Sequence, residues 1–255
     1  MSKTYQTILR LLPIGSIIAF FLIWFGMSAR TGFLVPNPIQ VVERFFVLAN
    51  YPIANMSILG HTWASLRLVL MALFYAIVIG IPFGLLIGWS EHFRGIFKPI
   101  FEALRPIPPI AWVPLITMWL GIGDESRVFI IFLGCFMPIV VNTFTGVSMV
   151  PEQNIHAGYI FGANQRQVLF DIILPSAFPS IFAGIRTAIG VGWVVMLAAE
   201  MLSARSGLGF LVIRGSDSGD LALTMVSMVF IGSVGALISF IFNRLEVWLC
   251  PWKEK

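Results

Sequence analysis

Residues 156–175 read HAGYIFGANQRQVLFDIILP and form a polar stretch between two strongly apolar parts of the chain. Just before this stretch, Pro151 and Glu152 are typical of the first turn of a helix, where proline loses no hydrogen bond and an acid meets the positive end of the helix dipole. Gly162 is typical of a helix end. The pattern therefore predicts one helix that ends near Gly162 and a second from about Asn164 to Ile173.

The same stretch has features that favour contact with another protein. Pro175 is expected to break the second helix, because proline removes a backbone donor and its ring obstructs the preceding turn. Ala157 and Gly158 have almost no side chain, so a partner surface could approach them closely. We interpret residues 151–175 as a helix-turn-helix that docks in a groove of another protein at a membrane face. An ordinary interfacial loop is the alternative.

The composition is that of a polytopic membrane protein. Of the 255 residues, 58% are hydrophobic and 11% are charged, whereas soluble domains carry about 25% charged residues. The mean hydropathy is +0.92. The net charge of +4 comes from scattered basic residues, and nucleic-acid binding requires a clustered patch. We therefore expect one membrane domain in contact with lipid, and no nucleic acid as a partner.

Apolar, nearly charge-free runs predict six transmembrane helices, since about 20 residues cross the hydrocarbon core. We place them at residues 11–29, 68–90, 106–123, 128–151, 181–202 and 221–243. With both termini in the cytoplasm, ten of the 16 Lys and Arg residues lie on the inner side and six on the outer side. The positive-inside rule favours this orientation, which puts residues 151–175 in the cytoplasm.

A short helix is predicted in the first outer loop. Asn37 can cap this helix and Pro38 suits its first position. Val41, Phe45 and other apolar residues then recur at helical spacing, with polar residues on the opposite side. The helix lies in the outer membrane interface or packs against the bundle, and the pattern leaves both open.

The third predicted span contains four prolines, at positions 106, 108, 109 and 114. Broken helices are tolerated in a membrane where protein or water surrounds the freed backbone groups. This span is expected to line a pathway or to be a kinked packing helix.

Polar residues inside the spans provide further candidates. Arg186 and Glu200 are 14 positions apart, or roughly 21 Å along a helix, so both cannot clear a hydrocarbon core of about 30 Å. We expect Arg186 to snorkel to the inner face, and Glu200 either to line a pathway or gate or to be paired structurally. Asn142 and Thr143 could line the pathway or join helices by hydrogen bonds. The candidate pathway or gate residues are Pro109, Trp112, Asn142, Thr143, Trp193, Met196 and Glu200.

The remaining polar residues are interpreted as structural. Glu102 and Arg105 could pair on one helix face. The three histidines lie near predicted span ends and far apart in the sequence, so we interpret them as interfacial residues rather than metal ligands. The chain contains no phosphate-binding Gly-rich motif followed by Lys, and we expect neither catalytic residues nor a cofactor or metal of its own.

The hairpin stretch resembles a motif of the permease subunits of ATP-binding-cassette (ABC) importers, which is Glu-Ala-Ala, three residues, Gly, nine residues and Ile-x-Leu-Pro. At matching spacing the chain has His156, Ala157, Gly158, Gly162, Ile172, Leu174 and Pro175. It departs from the motif at His156, which replaces the acid, and at Gly158, which replaces the second alanine.

The resemblance covers about residues 33–245 and extends to the nitrate, sulfonate, taurine and bicarbonate branch of these permeases. The stretches that carry it are FLVPNPIQVVERFF at 33–46, RPIPPIAWVPLITMWLGIGDES at 105–126 and GIRTAIGVGWVVMLAAEMLSARSGLGFLV at 184–212. Within them, PIPPIAWVPL and VGWVVMLAAE are most similar to taurine-type permeases.

This resemblance implies an all-α membrane protein with six transmembrane helices and the type I ABC importer (MetI-like) permease fold. Residues 1–60 would hold the first transmembrane helix and the outer interfacial helix. Residues 61–245 would form a permease core of five helices with the coupling loop 151–175, and 246–255 a cytoplasmic tail. The residues implied to couple the chain to an ATPase are Glu152, His156, Ala157, Gly158, Gly162, Leu174 and Pro175.

The resemblance also implies partners and a location. A second copy of the permease, two ATPase subunits that bind ATP and Mg²⁺, and a soluble solute-binding protein would complete an importer in the bacterial inner membrane. The solute would be a small anion such as taurine or another organosulfonate. Nitrate, bicarbonate, an aromatic acid or a vitamin precursor are alternatives.

Two other function classes are weaker. A secondary transporter would need membrane carboxylates for its coupling ion, and Glu200 is the one candidate in the sequence. A membrane-embedded enzyme would need clustered catalytic groups within the spans, which the sequence lacks.

Overall fold

The computed structural model describes residues 3–250 and shows a helical bundle. The helices are α1 (Lys3–Thr31), α2 (Pro38–Asn50), α3 (Ile58–Trp89), α4 (Glu91–Leu104), α5 (Val113–Leu120), α6 (Asp124–Ser148), α7 (Glu152–Ile160), α8 (Gln165–Gln167), α9 (Leu174–Ser203), α10 (Leu208–Asp217) and α11 (Leu221–Leu249). Short 3-10 turns lie at Gly32–Leu34 and Pro109–Trp112, and a π-helical turn lies at Val168–Ile173.

Five of the predicted spans are long apolar helices within the described residues. They are Leu12–Thr31, Ile58–Trp89, Asp124–Ser148, Gln165–Leu202 and Leu221–Leu249. Most are longer than their charge-free runs, so that Arg67 lies within α3 and Glu246 lies within α11. The runs underestimate the helices because side chains near the ends of a span can carry their charge to the interface.

The third span differs from the prediction of one kinked helix over residues 106–123. Helix α4, which was not predicted, ends at Leu104, where Pro106 disfavours helical backbone at the residue before it. The Pro109–Trp112 turn and the eight-residue α5 follow. Gly121 then reverses the chain with a φ of +77°. The prolines thus divide the segment into short pieces.

Helices α3 and α6 pack closely through glycines spaced four residues apart on α3. A Cβ atom on Gly84 would lie 2.7 Å from the Cβ of Thr143 and 2.9 Å from the carbonyl oxygen of Val140. Gly80 and Gly88 approach α6 in the same way. Small residues of this kind let membrane helices come close enough for backbone and side-chain packing.

Helices α6 and α9 pack by the same means. A Cβ on Gly192 would lie 2.5 Å from the sulfur of Cys135. The Cys135 thiol donates a hydrogen bond of 3.4 Å to the carbonyl of Ala188. Cys135 is fully buried. The α3, α6 and α9 trio is the core on which the other elements are placed.

Helix α2 packs one face against the bundle, as one of the two predicted locations requires. Asn37 caps it through a capping box, as predicted. Phe45 stacks on Phe230 of α11 with ring centroids 5.8 Å apart. The Arg44 Nε donates to a carboxylate oxygen of Asp220 at 2.7 Å, just before α11 begins. The opposite face of α2 stays exposed.

Candidate coupling hairpin and solute groove

The predicted helix-turn-helix is present in the structure, and we call residues 152–173 the coupling hairpin. Helix α7 ends before Gly162, whose φ of +84° is readily adopted by glycine. Asn164 then caps the next helical turn by accepting hydrogen bonds from the backbone of Arg166 and Gln167. The π-helical turn Val168–Ile173 follows.

The prediction that Pro175 breaks the second helix was wrong. Pro175 is the second residue of α9, and helical backbone continues from Gln165 through to Ser203. Proline is tolerated in the first turn of a helix. The wider turn at Val168–Ile173 lies directly before it, where the ring would otherwise meet the preceding carbonyls. The coupling hairpin is therefore continuous with a transmembrane helix.

Gly158 serves a contact within the chain, which corrects the expectation that a partner approaches it. It is buried, and a Cβ atom there would lie 2.4 Å from the Cδ1 of Ile172. Glycine at this position lets α7 lie on the π-helical turn. Ala157 beside it is exposed, as are Glu152, His156 and Gly162.

A small apolar cluster fixes the coupling hairpin to the bundle. Its buried members come from the end of α6, the π-helical turn and the start of α9. They are Val147, Val150, Val168, Ile173, Ala177 and Ile181. Leu174 is half-buried against this cluster, and Pro175 is exposed. The hairpin is therefore packed on α6 and α9 as one unit.

The tip of the hairpin carries two exposed apolar residues that the sequence analysis missed. Ile160 is 82% exposed and Phe161 is 90% exposed. Tyr159 next to them is half-exposed. Because the chain is rich in apolar residues, the residue types of Ile160 and Phe161 alone do not distinguish them from residues that face lipid or the core. Their position could have been suspected, because they precede the helix-ending Gly162 on a predicted cytoplasmic turn.

A cavity of about 520 Å³, which we call the solute groove, lies between the Pro109–Trp112 turn, α6 and α9. Pro109, Trp112 and Asn142 of the candidate pathway residues line it. The Asn142 amide donates a hydrogen bond of 2.8 Å to the carbonyl of Pro138. Much of the rest of the lining is apolar and includes Ile107, Trp119, Phe129, Leu133, Met137 and Val191.

Three candidate pathway residues face the interior of the bundle instead. Thr143 is fully buried against α3, and its hydroxyl has no hydrogen-bond partner among the described residues. The Trp193 indole donates to the carbonyl of Ile231 at 3.2 Å, so its ring faces α11. Met196 is fully buried in the main apolar core. None of them lines the solute groove.

Glu200 is structurally paired within the bundle. It is 1% exposed, and its carboxylate accepts hydrogen bonds from the Ser65 hydroxyl at 2.8 and 3.0 Å. The backbone N–H of Gly209 donates to it at 2.8 Å. A buried carboxylate is stable when donors of this kind surround it. Of the two predicted roles, these contacts favour the structural one.

His61 belongs to the same polar network, which corrects its interpretation as an interfacial residue. It is 1% exposed in the first turn of α3. Its Nδ1 accepts a hydrogen bond of 3.0 Å from Gly207 N–H, and its Nε2 lies 3.0 Å from the carbonyl oxygen of Ile53. Leu208 N–H donates to the Ser65 hydroxyl at 2.8 Å. The network joins α3, α9 and the start of α10.

Two charged residues have partners other than those considered from the sequence. The Arg186 guanidinium donates to Glu246 at 2.6 Å and to Asn243 at 2.8 Å, so it joins α9 to α11 while remaining partly exposed. Glu102 pairs with Lys98 at 3.7 Å rather than with Arg105. No cluster of three or more His, Cys, Asp or Glu side chains suited to a metal occurs within residues 3–250.

Comparison with known proteins gives one matching family profile, described as binding-protein-dependent transport system inner membrane component, over residues 80–255. The chain is 34% identical to the taurine transport system permease protein TauC of Escherichia coli, over 94% of this chain and 89% of that protein. It is 32% identical to the nitrate import permease protein NrtB of Synechocystis, over 95% and 90%.

A third relative is the bicarbonate transport system permease protein CmpB of Synechococcus elongatus, which is 30% identical over 95% of this chain and 88% of that protein. Among solved structures, the chain is similar to a chain of the MetNI methionine ABC transporter in an inward-facing conformation. The TM-score is 0.65 at 20% identity, over 73% of this chain and 93% of that one. This likeness confirms the predicted type I importer permease fold.

Proposed function

The chain belongs to the family of binding-protein-dependent transport system inner membrane components, as an ABC importer permease of the taurine, nitrate and bicarbonate branch, and we propose that it imports taurine or another organosulfonate. The observation that carries the proposed mechanism is the exposed tip of the coupling hairpin on a rigid base. Ile160 and Phe161 are almost fully exposed, while the residues beneath them are packed against α6 and α9. This arrangement supports docking of a partner whose motion is transmitted to the bundle.

The proposed partners are a second copy of this chain, two ATPase subunits and a soluble solute-binding protein. The irregular backbone between Leu104 and Val113 supports a partner on the groove side, because unpaired backbone groups are tolerated in a membrane only where protein or water covers them. A second copy facing this segment would provide that cover and would close the solute groove into a pathway.

ATP and Mg²⁺ would bind in the ATPase subunits, and this chain would move in response to them. Closure of the ATPases draws two coupling hairpins together and tilts the bundles, so that the pathway opens outward to receive the solute. Moving a two-state equilibrium from 1:99 to 99:1 takes about 5.5 kcal/mol of differential binding. A well-packed interface around Phe161 can supply that, whereas a single exposed ion pair contributes about 0–1 kcal/mol.

The solute class rests on the similarity to taurine-type permeases, and nitrate, bicarbonate, an aromatic acid and a vitamin precursor are the alternatives. In importers of this kind we expect the solute-binding protein to do most of the selecting. An affinity panel on the partner binding protein, with taurine, other sulfonates, nitrate and bicarbonate as probes, distinguishes these solutes directly. Tightest binding of nitrate or bicarbonate would overturn the organosulfonate assignment.

The coupling role is tested by Phe161→Ala in the complete assembly reconstituted in vesicles. We expect solute-stimulated ATP hydrolysis to fall about 30-fold or more, because truncating a central aromatic residue of an interface costs about 2 kcal/mol or more. The fold should be unchanged, since the Phe161 side chain is exposed. Copurification of the ATPase with the tagged permease is measured in parallel.

The matched control is Phe46→Ala, which removes an exposed ring from the outward face of α2. Its ATP hydrolysis and copurification should match the wild type. Equal behaviour of the two variants would exclude Phe161 from coupling. Uphill uptake by the purified chain without an ATPase would instead favour a secondary transporter.

A further inference from the structure

Arg105 is the one charged residue among those that line the solute groove. It follows the last residue of α4 and lies at the end of the groove marked by Val141 and Asn142. It also borders a smaller cavity of about 140 Å³, whose lining includes Phe144 and Thr145 of α6 and the Lys98–Glu102 pair of α4. Because Phe144 and Thr145 belong to the last part of α6, Arg105 lies toward the end of the bundle that carries the coupling hairpin.

The guanidinium of Arg105 has no salt bridge or side-chain hydrogen bond among the described residues. The nearest acid in sequence, Glu102, pairs with Lys98. The groove lining contains no Asp or Glu, and its other polar side chains include Asn142 and Thr187. A second cavity at the other end of α6 differs, because there Arg67 pairs with Asp124.

Arg105 is exposed in the single chain, so the apolar lining would strengthen the effect of this cation once a second copy covers the groove. Charges interact more strongly as the surrounding dielectric constant falls, and Ile107, Leu133 and Met137 are neighbours of low polarity. Arginine suits this position because its planar guanidinium can donate two parallel hydrogen bonds to a carboxylate, nitrate or sulfonate group. The volume of the groove also lies within the range of about 300–1,000 Å³ that is typical of small-molecule sites.

We propose that Arg105 binds the transported anion at the hairpin end of the solute groove, with Asn142 beside it as a neutral polar contact. This inference rests on the proposed function and identifies the residue that favours anions within it. The solute passes from the apolar part of the groove to the guanidinium and then leaves toward the cytoplasm. Arg105 is therefore expected to affect the solute step and not the docking of the ATPase.

The test compares Arg105→Gln and Arg105→Lys in vesicles that contain the complete assembly, with radiolabelled taurine, nitrate and bicarbonate as probes. The glutamine removes the charge and the lysine retains it. We expect Arg105→Gln to lower anion uptake per ATP hydrolysed about tenfold, as expected when a hydrogen bond between charged groups is lost. Arg105→Lys should retain most of the uptake.

Arg244→Gln is the matched control, because Arg244 is a cation of α11 that contacts the Phe240 ring and lines neither cavity beside Arg105. It should transport like the wild type. Wild-type uptake per ATP in Arg105→Gln would overturn the inference, and so would an equal loss in the Lys and Gln variants. A wild-type assembly that moves none of the three probes would instead contradict the proposed solute class.

Discussion

Single buried polar residues explain how this chain joins its helices in an apolar environment. Glu200 receives hydrogen bonds from α3 and from the first turn of α10, while His61 receives one from the loop before α10. Close contact is required as well, since a Cβ on Gly207 would lie 2.3 Å from a Glu200 carboxylate oxygen. The segment 204–209 is thus fixed by the two residues that it encloses.

Glu200→Ala is expected to destabilise the protein. The change leaves the Gly209 N–H and the Ser65 hydroxyl without their acceptor, and each unsatisfied buried group costs about 1–3 kcal/mol. The unfolding midpoint in detergent, followed by tryptophan fluorescence, should fall by several degrees, at roughly 2–4 °C for each kcal/mol. Glu200→Gln keeps an acceptor oxygen and should lose less.

Glu102→Ala is the comparison for this stability test, because the exposed Glu102 pairs only with Lys98 among the described contacts. Its midpoint should stay within about 1 kcal/mol of the wild type. If Glu102→Ala and Glu200→Ala unfolded at the same temperature, the buried network would have no stabilising role.

The local roles of single residues were predicted from the sequence better than their contacts with distant parts of the chain. Asn37 was identified as a helix cap from its position before Pro38, since capping depends on near neighbours. The partner of Glu200 could not be identified, because Ser65 is distant in the sequence and only the packed bundle brings the two together. The same reason accounts for Gly158, whose neighbour Ile172 is known only once the hairpin folds.

At the scale of elements, the broken third span distinguishes one side of the bundle from the others. Hydrophobic runs located the other five spans, because a long apolar run in a membrane has helical backbone. The run at 106–123 satisfied the same criterion, yet its prolines divide it. Helix α4 was missed because it is amphipathic. Its charged residues lower the mean hydropathy, so a hydropathy criterion does not detect it.

Thiol labelling tests whether the broken segment faces water. With Cys135 and Cys250 replaced by alanine, Ile107→Cys should react several-fold faster with a hydrophilic maleimide than Phe20→Cys on α1. Ile107 is 38% exposed in the single chain and Phe20 is 60% exposed. Accessible area alone therefore predicts the opposite order. A faster reaction at position 20 would place residue 107 in lipid and remove the support for a wet groove.

At the scale of the whole molecule, the bundle has a hairpin end and an opposite end that carries α2, the 204–209 segment and α10. The distribution of Lys and Arg predicts that the hairpin end is cytoplasmic. The rule counts Lys and Arg residues in loops, whereas Arg94 and Lys98 lie in helix α4, which was not predicted. The fold class was predicted more securely, since the similarity extends over most of the chain.

Labelling from one side of the membrane tests the orientation. In the cysteine-free background, Asp217→Cys should react with a membrane-impermeant maleimide in intact cells, because it is exposed beside α11 at the opposite end. Phe161→Cys should react only after permeabilisation. The reverse pattern would invert the molecule and move the coupling hairpin away from any cytoplasmic ATPase.

The π-helical turn at Val168–Ile173 makes the length of the connection as important as its composition. Successive residues of a helix are rotated by about 100° around the helix axis. Removing one residue here would therefore rotate the Phe161 tip by about this angle around the axis of α9. Gly158 would then no longer lie against Ile172. A residue gained or lost in this stretch is therefore expected to misalign the tip, even where every side-chain type is kept.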